Sequence, residues 1–163
     1  MGLTENDLKN IKYKEYPSES CSMRLSDADV ERFSYKEKQL AKKISTIKLK
    51  YEMEHEISSN KAYEDLADLC QISVTAFKYA VAGKKGNTAN RHFLYKLVVG
   101  MRMTIEEANV LFELEKGSLS DECLEDKICY CALRDQESIY EFIDEFEKRT
   151  NYKIGMRDRN PKK

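Results

Sequence analysis

The sequence predicts an all-α fold, and three observations carry that prediction. Only 6 Gly and 2 Pro occur in 163 residues, too few for the turns that a β-sandwich or barrel needs every ~8–12 residues. Apolar residues recur at spacings of three and four, the period of a helix face. Hydroxyl and amide side chains stand ahead of those runs, where they cap the free N–H groups of a helix start.

Taken in order, residues 1–22 show no sustained period and hold Pro17 within a serine-rich run, Ser18, Ser20 and Ser22. They read as an irregular or partner-dependent arm. Ser26 followed by Asp27 and Asp29 predicts a helix start with acids in its first turn. The stripe Leu40, Ile44, Ile47 and Tyr51 continues it, with Lys42, Lys43, Lys48, Lys50, Glu52 and Glu54 expected outward. This helix should end near Ile57. Asn60 is the expected cap of the next, Tyr63–Cys70, with Leu66, Ala67 and Leu69 inward. Gln71-Ile72 is a tight connector. Ser73 caps a helix reaching about Ala82, stopped by Gly83.

A basic loop over 83–88 leads to the apolar run Phe93–Val99, closed by Gly100. Leu97-Val98-Val99 alone would suit a strand, but its flanking caps favour helix. Thr104 with Glu107 is a capping box opening Ile105–Leu114, with Ile105, Ala108, Leu111 and Phe112 inward. Gly117-Ser118 breaks that helix. Two acidic helices follow at about 120–134 and 137–149, the last with Ile139, Phe142, Ile143 and Phe146 on one face. The tail Met156–Lys163 is basic and expected to be loose.

Apolar residues make up 41% and charged residues 35% of the chain, with mean hydropathy −0.68. Such a chain suits one compact domain, or a small domain with helical extensions. No apolar stretch approaches the ~18–20 residues needed to cross a bilayer. Met1–Lys14 lacks a basic-then-apolar leader, so the expected location is cytoplasmic. There the five cysteines, Cys21, Cys70, Cys123, Cys129 and Cys131, read as reduced thiols.

The same residues argue against catalysis. Cys123, Cys129 and Cys131 are spaced C-x5-C-x-C without a nearby histidine, and they read as small buried hydrophobes rather than a zinc site. His55-Glu56 opens like a zinc-protease helix, but Ser59 stands where the second histidine belongs. Gly83-Lys84-Lys85-Gly86 lacks the strand, the upstream glycine and the hydroxyl of a phosphate loop. No enzyme activity, metal or cofactor is expected.

The charge distribution is more informative than the net charge of −1. Residues 73–103 hold six bases (Lys78, Lys84, Lys85, Arg91, Lys96, Arg102) and no acid. Residues 104–150 hold fourteen acids against five bases, and the last thirteen residues hold five bases against one acid. Blocks so segregated can present a local cationic surface that the overall balance conceals.

One constellation sits at the head of the basic block: Tyr63-Glu-Asp-Leu66-Ala67-Asp-Leu69-Cys70-Gln71-Ile72-Ser73-Val74-Thr-Ala-Phe77-Lys-Tyr-Ala80. Two short helices crossing steeply need a small residue where they approach, here Ala67. Their turn needs a buried apolar residue, Ile72, and a capping hydroxyl, Ser73. The second helix must grip the core through Phe77 and Ala80, leaving its other face free. This pattern resembles the phage-repressor (lambda-like, Xre-type) helix-turn-helix DNA-binding family. The likeness extends to Ile47–Ile57 as a first helix, Arg91–Val99 as a fourth, and Gly100–Ala108 as the turn into a fifth.

The resemblance implies a five-helix DNA-binding core with an N-terminal helical extension and acidic C-terminal helices. Its divisions would be an arm and extension at 1–43, a helix-turn-helix domain at 44–117, acidic helices at 118–150 and a basic tail at 151–163. Carried over by position, helix 73–82 would enter the major groove of double-stranded DNA and read bases through Val74, Thr75, Lys78 and Tyr79. Lys84, Lys85, Asn87, Thr88 and Arg91 would lie on flanking phosphates. A homodimer is implied, because one helix touches too few base pairs to select a site. Where the family often has glutamine this chain has Tyr63 and Val74, and Gln71 replaces a frequent turn glycine, which asks it for a left-handed backbone.

An alternative stays open. The same scaffold would serve as a protein-interaction module, an adaptor or an inhibitor of a nucleic-acid enzyme. Its contact surface would be the Val74/Phe77/Val81 neighbourhood or the acidic helices at 120–149. The stripe Ile139, Phe142, Ile143 and Phe146 would pack either on the chain's own core, the favoured reading, or on another subunit.

Overall fold

A computed structural model describes residues 26–83 and 89–155. Among them all regular structure is helical: α1 Asp27–His55, α2 Ser59–Cys70, α3 Val74–Ala82, α4 Arg91–Gly100, α5 Ile105–Glu115, α6 Leu124–Asp135 and α7 Ile139–Thr150. The chain divides into two units, residues 1–35 and 36–163. The described part of the first contains the opening turns of α1. The core belongs to the second. Among the described residues no helix is long and apolar enough to cross a membrane.

Within the second unit, α1 buries Leu40 and Ile44 and half-buries Ile47 and Tyr51, the stripe its periodicity predicts. Lys48 departs from expectation: it is buried, not outward. Its ammonium donates to Ser59 Oγ at 2.7 Å, pairs with Glu52 and lies 4.6 Å from the centre of the Tyr63 ring. Those partners explain how a lysine sits beneath the surface.

Helix α2 starts earlier than predicted because Ser58, not Asn60, is the cap; its hydroxyl accepts from Lys61 N at 3.1 Å. Leu66 and Ala67 are buried as expected, whereas Leu69 is 43% exposed. Gln71 ends α2 in the left-handed region, φ 55°, and Ile72 N–H returns to Ala67 O at 2.9 Å. Ser73 then caps α3, its hydroxyl accepting from Ala76 N. Gly83 closes α3 at φ 65°, and a Cβ placed there would lie 2.6 Å from Ala41 Cβ, so only glycine fits where α3 ends against α1.

Helix α4 is the axis of the fold. Phe93, Leu94, Tyr95, Leu97, Val98 and Val99 are all buried, and α2, α5, α6 and α7 pack around it. A helix apolar on nearly every side belongs inside a bundle, which is why Leu97-Val98-Val99 is helical. Gly100 permits its approach to α2, since a Cβ would meet Cys70 Sγ at 2.7 Å and Cys70 Cα at 2.8 Å. The Thr104/Glu107 capping box opens α5 as predicted.

Helix α6 begins at Leu124, later than the expected 120, because Ser120–Cys123 forms a turn closed by Cys123 N–H on Ser120 O. Ser138 and Glu141 form a second capping box at α7. Ile139, Phe142 and Phe146 join the chain's own core with Ile143 packed against it, so this stripe is not an exposed subunit contact. Beyond α7, Ile154 is buried and Glu147 accepts from Ile154 N and Gly155 N at 2.8 and 2.7 Å. Residues 118–155 therefore complete the same core. Met156–Lys163 and residues 1–22 lie outside the described residues.

Candidate nucleic-acid interface

Helix α3 is anchored on one side and open on the other. Phe77 and Ala80 are buried, with Ala76 and Val81 packed against the core. Phe77 stands edge-on to Tyr63 and tilted on Phe93, with ring centres 6.0 and 5.7 Å apart. The residues left exposed are Thr75, Lys78, Tyr79 and Ala82. Spaced by three, one and three, they form a single outward stripe. Lys78 Nζ lies 5.5 Å from the Tyr63 ring centre, which biases its side chain across the α2–α3 junction.

Of the predicted base-reading residues, Thr75, Lys78 and Tyr79 share that stripe, while Val74 is half-buried at its edge. Ala82, apolar and outside the predicted base-reading set, belongs to it as well; its small side chain leaves the end of the helix open. Val74, Ala76 and Val81 carry no hydrogen-bonding group on their side chains. All three turn partly inward, and a hydroxyl, an ammonium and a phenol remain. Of the Val74/Phe77/Val81 neighbourhood, Phe77 is buried while Val74 and Val81 are half-buried. Lys84, Lys85, Asn87 and Thr88 lie outside the described residues.

Arg91 is placed differently from its expected role on phosphate. Its guanidinium donates to Asp126 through two bonds, Nε to Oδ1 at 2.9 Å and Nη2 to Oδ2 at 2.8 Å. It also donates to Glu115 Oε1 at 3.1 Å and Ser118 O at 3.3 Å, and it stacks over Phe112 at 4.9 Å. The Tyr95 hydroxyl and Ser120 N–H complete the shell of Asp126, which is 2% exposed. Burial pushes the Asp126 carboxyl up, but bonds from Arg91, Tyr95 and Ser120 outweigh it and hold the group below its ordinary range. Burial and the bond to Asp126 push the Tyr95 phenol up.

Two other cations of the basic block are also engaged. Lys96 donates to Gln71 O and Ile154 O, both at 2.7 Å, and burial pulls its pKa down. Arg102 donates to Gln136 O at 3.0 Å. His92 pairs with Glu125 at 3.0 Å. Part of the segregated charge pattern is thus an internal fit, in which α4 and its flanks clamp the acidic C-terminal helices. Sequence spacing carries no signal for these pairs, because their members are 24 to 58 positions apart.

Comparison of the chain with protein-family models, curated proteins and solved structures finds no match. The candidate site therefore stands on its own geometry.

Proposed function

We propose that this protein is a sequence-specific DNA-binding regulator that places the exposed face of α3 in the major groove of a duplex. The observation that carries the reading is the outward stripe Thr75, Lys78, Tyr79 and Ala82 on a short, capped helix without an acidic residue. Lys78 would donate to guanine or phosphate, and Thr75 would meet a thymine methyl or a phosphate oxygen. Tyr79 supplies a hydroxyl at the reach of a base edge. Lys84 and Lys85, next in sequence after Gly83, would add sequence-independent attraction to the backbone. Two copies would act together, since one short helix spans too few base pairs for selection.

The test is a salt titration of duplex binding by fluorescence anisotropy, with DNA from upstream of the chain's own coding region. Lys84→Ala/Lys85→Ala should weaken binding to every duplex and flatten the dependence of log K on log salt by roughly 2, about 0.9 per lost phosphate contact. Thr75→Ala should instead change which duplex is preferred. Absence of binding by the unaltered chain at low salt would refute the proposal.

A further inference from the structure

Between Lys36 and Lys50, the exposed residues of α1 are Lys36, Lys38, Lys42, Lys43, Thr46, Leu49 and Lys50; five of the seven are lysines and none is acidic. The one acid in this span, Glu37, is half-buried. Several cations are paired with carboxylates: Lys48, buried on this same helix, with Glu52, and elsewhere Lys61 with Asp65, Arg91 with Asp126, Lys127 with Asp121 and Arg149 with Glu145. Among the described residues the five α1 lysines have no such carboxylate. Like charges held along one helix repel each other, a cost that an external polyanion relieves.

Position links this face to α3. The end of α3 abuts α1 at Ala41, where a Cβ on Gly83 would come within 2.6 Å of the alanine methyl. Lys38 stands one turn before Ala41 on the same side of α1, and Lys42 directly follows it. From Lys36 to Lys50 the helix rises about 21 Å, the axial length of roughly six base pairs at 3.4 Å each. Lys38 and Lys42 are the lysines nearest the end of α3, and Lys43 and Lys50 extend the cationic surface around and along the helix.

We propose that the lysine face of α1, through Lys38, Lys42, Lys43 and Lys50, is a second phosphate-binding surface gripping the same duplex that α3 enters. The inference rests on the DNA-binding reading above. It adds a helix outside the bihelix as a contributor to affinity and not to base choice, because ammonium groups on phosphates carry no sequence information.

The experiment compares the full chain with Lys38→Gln/Lys42→Gln/Lys43→Gln/Lys50→Gln on a labelled 30-base-pair duplex of random sequence, between 50 and 200 mM KCl. Four phosphate contacts contribute about 3.6 to the salt slope, so the unaltered chain should lose about 150-fold more affinity over this range than the variant. The variant should keep the sequence preference of the unaltered chain and its thermal melting, since glutamine is as good a helix former as lysine. If it melts early, Lys38→Gln/Lys42→Gln decides instead, with about a 12-fold difference over the same range. An unchanged slope in a folded variant overturns the inference and leaves the α3 reading intact. Failure of the unaltered chain to bind any duplex overturns both. Binding to phosphatidylserine vesicles without binding to duplex would assign the lysine face to a membrane surface, and the inference would again fall.

Discussion

Asp126→Asn keeps the shape of the side chain, deletes its charge and turns one acceptor into a donor. Each carboxylate oxygen takes two bonds: Oδ1 from Arg91 Nε and the Tyr95 hydroxyl, Oδ2 from Arg91 Nη2 and Ser120 N–H. Whichever way the amide turns, its NH2 faces an Arg91 N–H. Arg91, whose side chain is 20% exposed, keeps only Glu115 as a charged partner. Breaking a buried ion pair costs about 3–5 kcal/mol, and the remaining Glu115 contact argues for the lower end. For a chain of 163 residues, a loss of about 3 kcal/mol lowers Tm by roughly 6–12 °C.

Urea denaturation and thermal melting measure this directly. Arg91→Met/Asp126→Leu, which removes both charges, should recover much of the loss, because an apolar pair leaves no stranded ion. The pH dependence has a definite sign. The folded carboxyl lies below the ordinary aspartate value of 3.8, so its contribution is present above that pH and fades as pH falls through the folded pKa. Asp126→Asn should lack that part of the acid transition. A variant within about 0.5 kcal/mol of the unaltered chain, the range of an ordinary surface substitution, would refute the reasoning.

Other perturbations test separate joints. Gly83→Ala combines a left-handed backbone with a Cβ 2.6 Å from Ala41, and should cost about 1–3 kcal/mol in urea unfolding; an unchanged midpoint would mean α3 does not end against α1. Lys96→Met removes both bonds that tie the α2–α3 turn to Ile154, so amide exchange at residues 151–155 should accelerate, and unaltered protection would contradict the latch. Burial pushes the Cys70 thiol up to about 12, so iodoacetamide at pH 8 should modify Cys70 only after unfolding. Its contribution to stability is full below the ordinary thiol value of 9.0 and declines as pH rises toward about 12. Lys78→Ala, on an exposed position, should leave melting within about 0.5 kcal/mol of the unaltered chain while weakening duplex binding.

Local chemistry was legible in the sequence. Ser73, Thr104 and Gly83 mark helix ends because the atoms that satisfy a terminal N–H or permit a left-handed turn lie within a few positions of it. The core positions Leu66, Ala67, Phe77 and Ala80 follow from helical period, Ile72 from the need of the turn for a buried apolar residue, and all are buried. What escaped depends on partners distant in sequence or on competition between neighbours. Ser58 and Asn60 are both competent caps, and only the path out of α1 selects the serine. Lys48 looked outward until Ser59, Glu52 and Tyr63 surrounded it. Leu69 fits the inward pattern of α2, but it falls beyond the width of the packed face. Arg91 counted as a surface cation because Asp126 lies 35 positions away. A charge block in sequence is therefore a supply of ions, and tertiary pairing determines which of them face solvent.

The central claim is that the outward stripe of α3 selects DNA sequence, and duplex selection from a randomised pool by the full chain at low salt tests it most directly. The account predicts enrichment of a shared motif by the unaltered chain and its loss, with duplex retention largely preserved, in Thr75→Ala/Tyr79→Ala. Recovery of a pool without a motif, or the same motif with that variant, would contradict it.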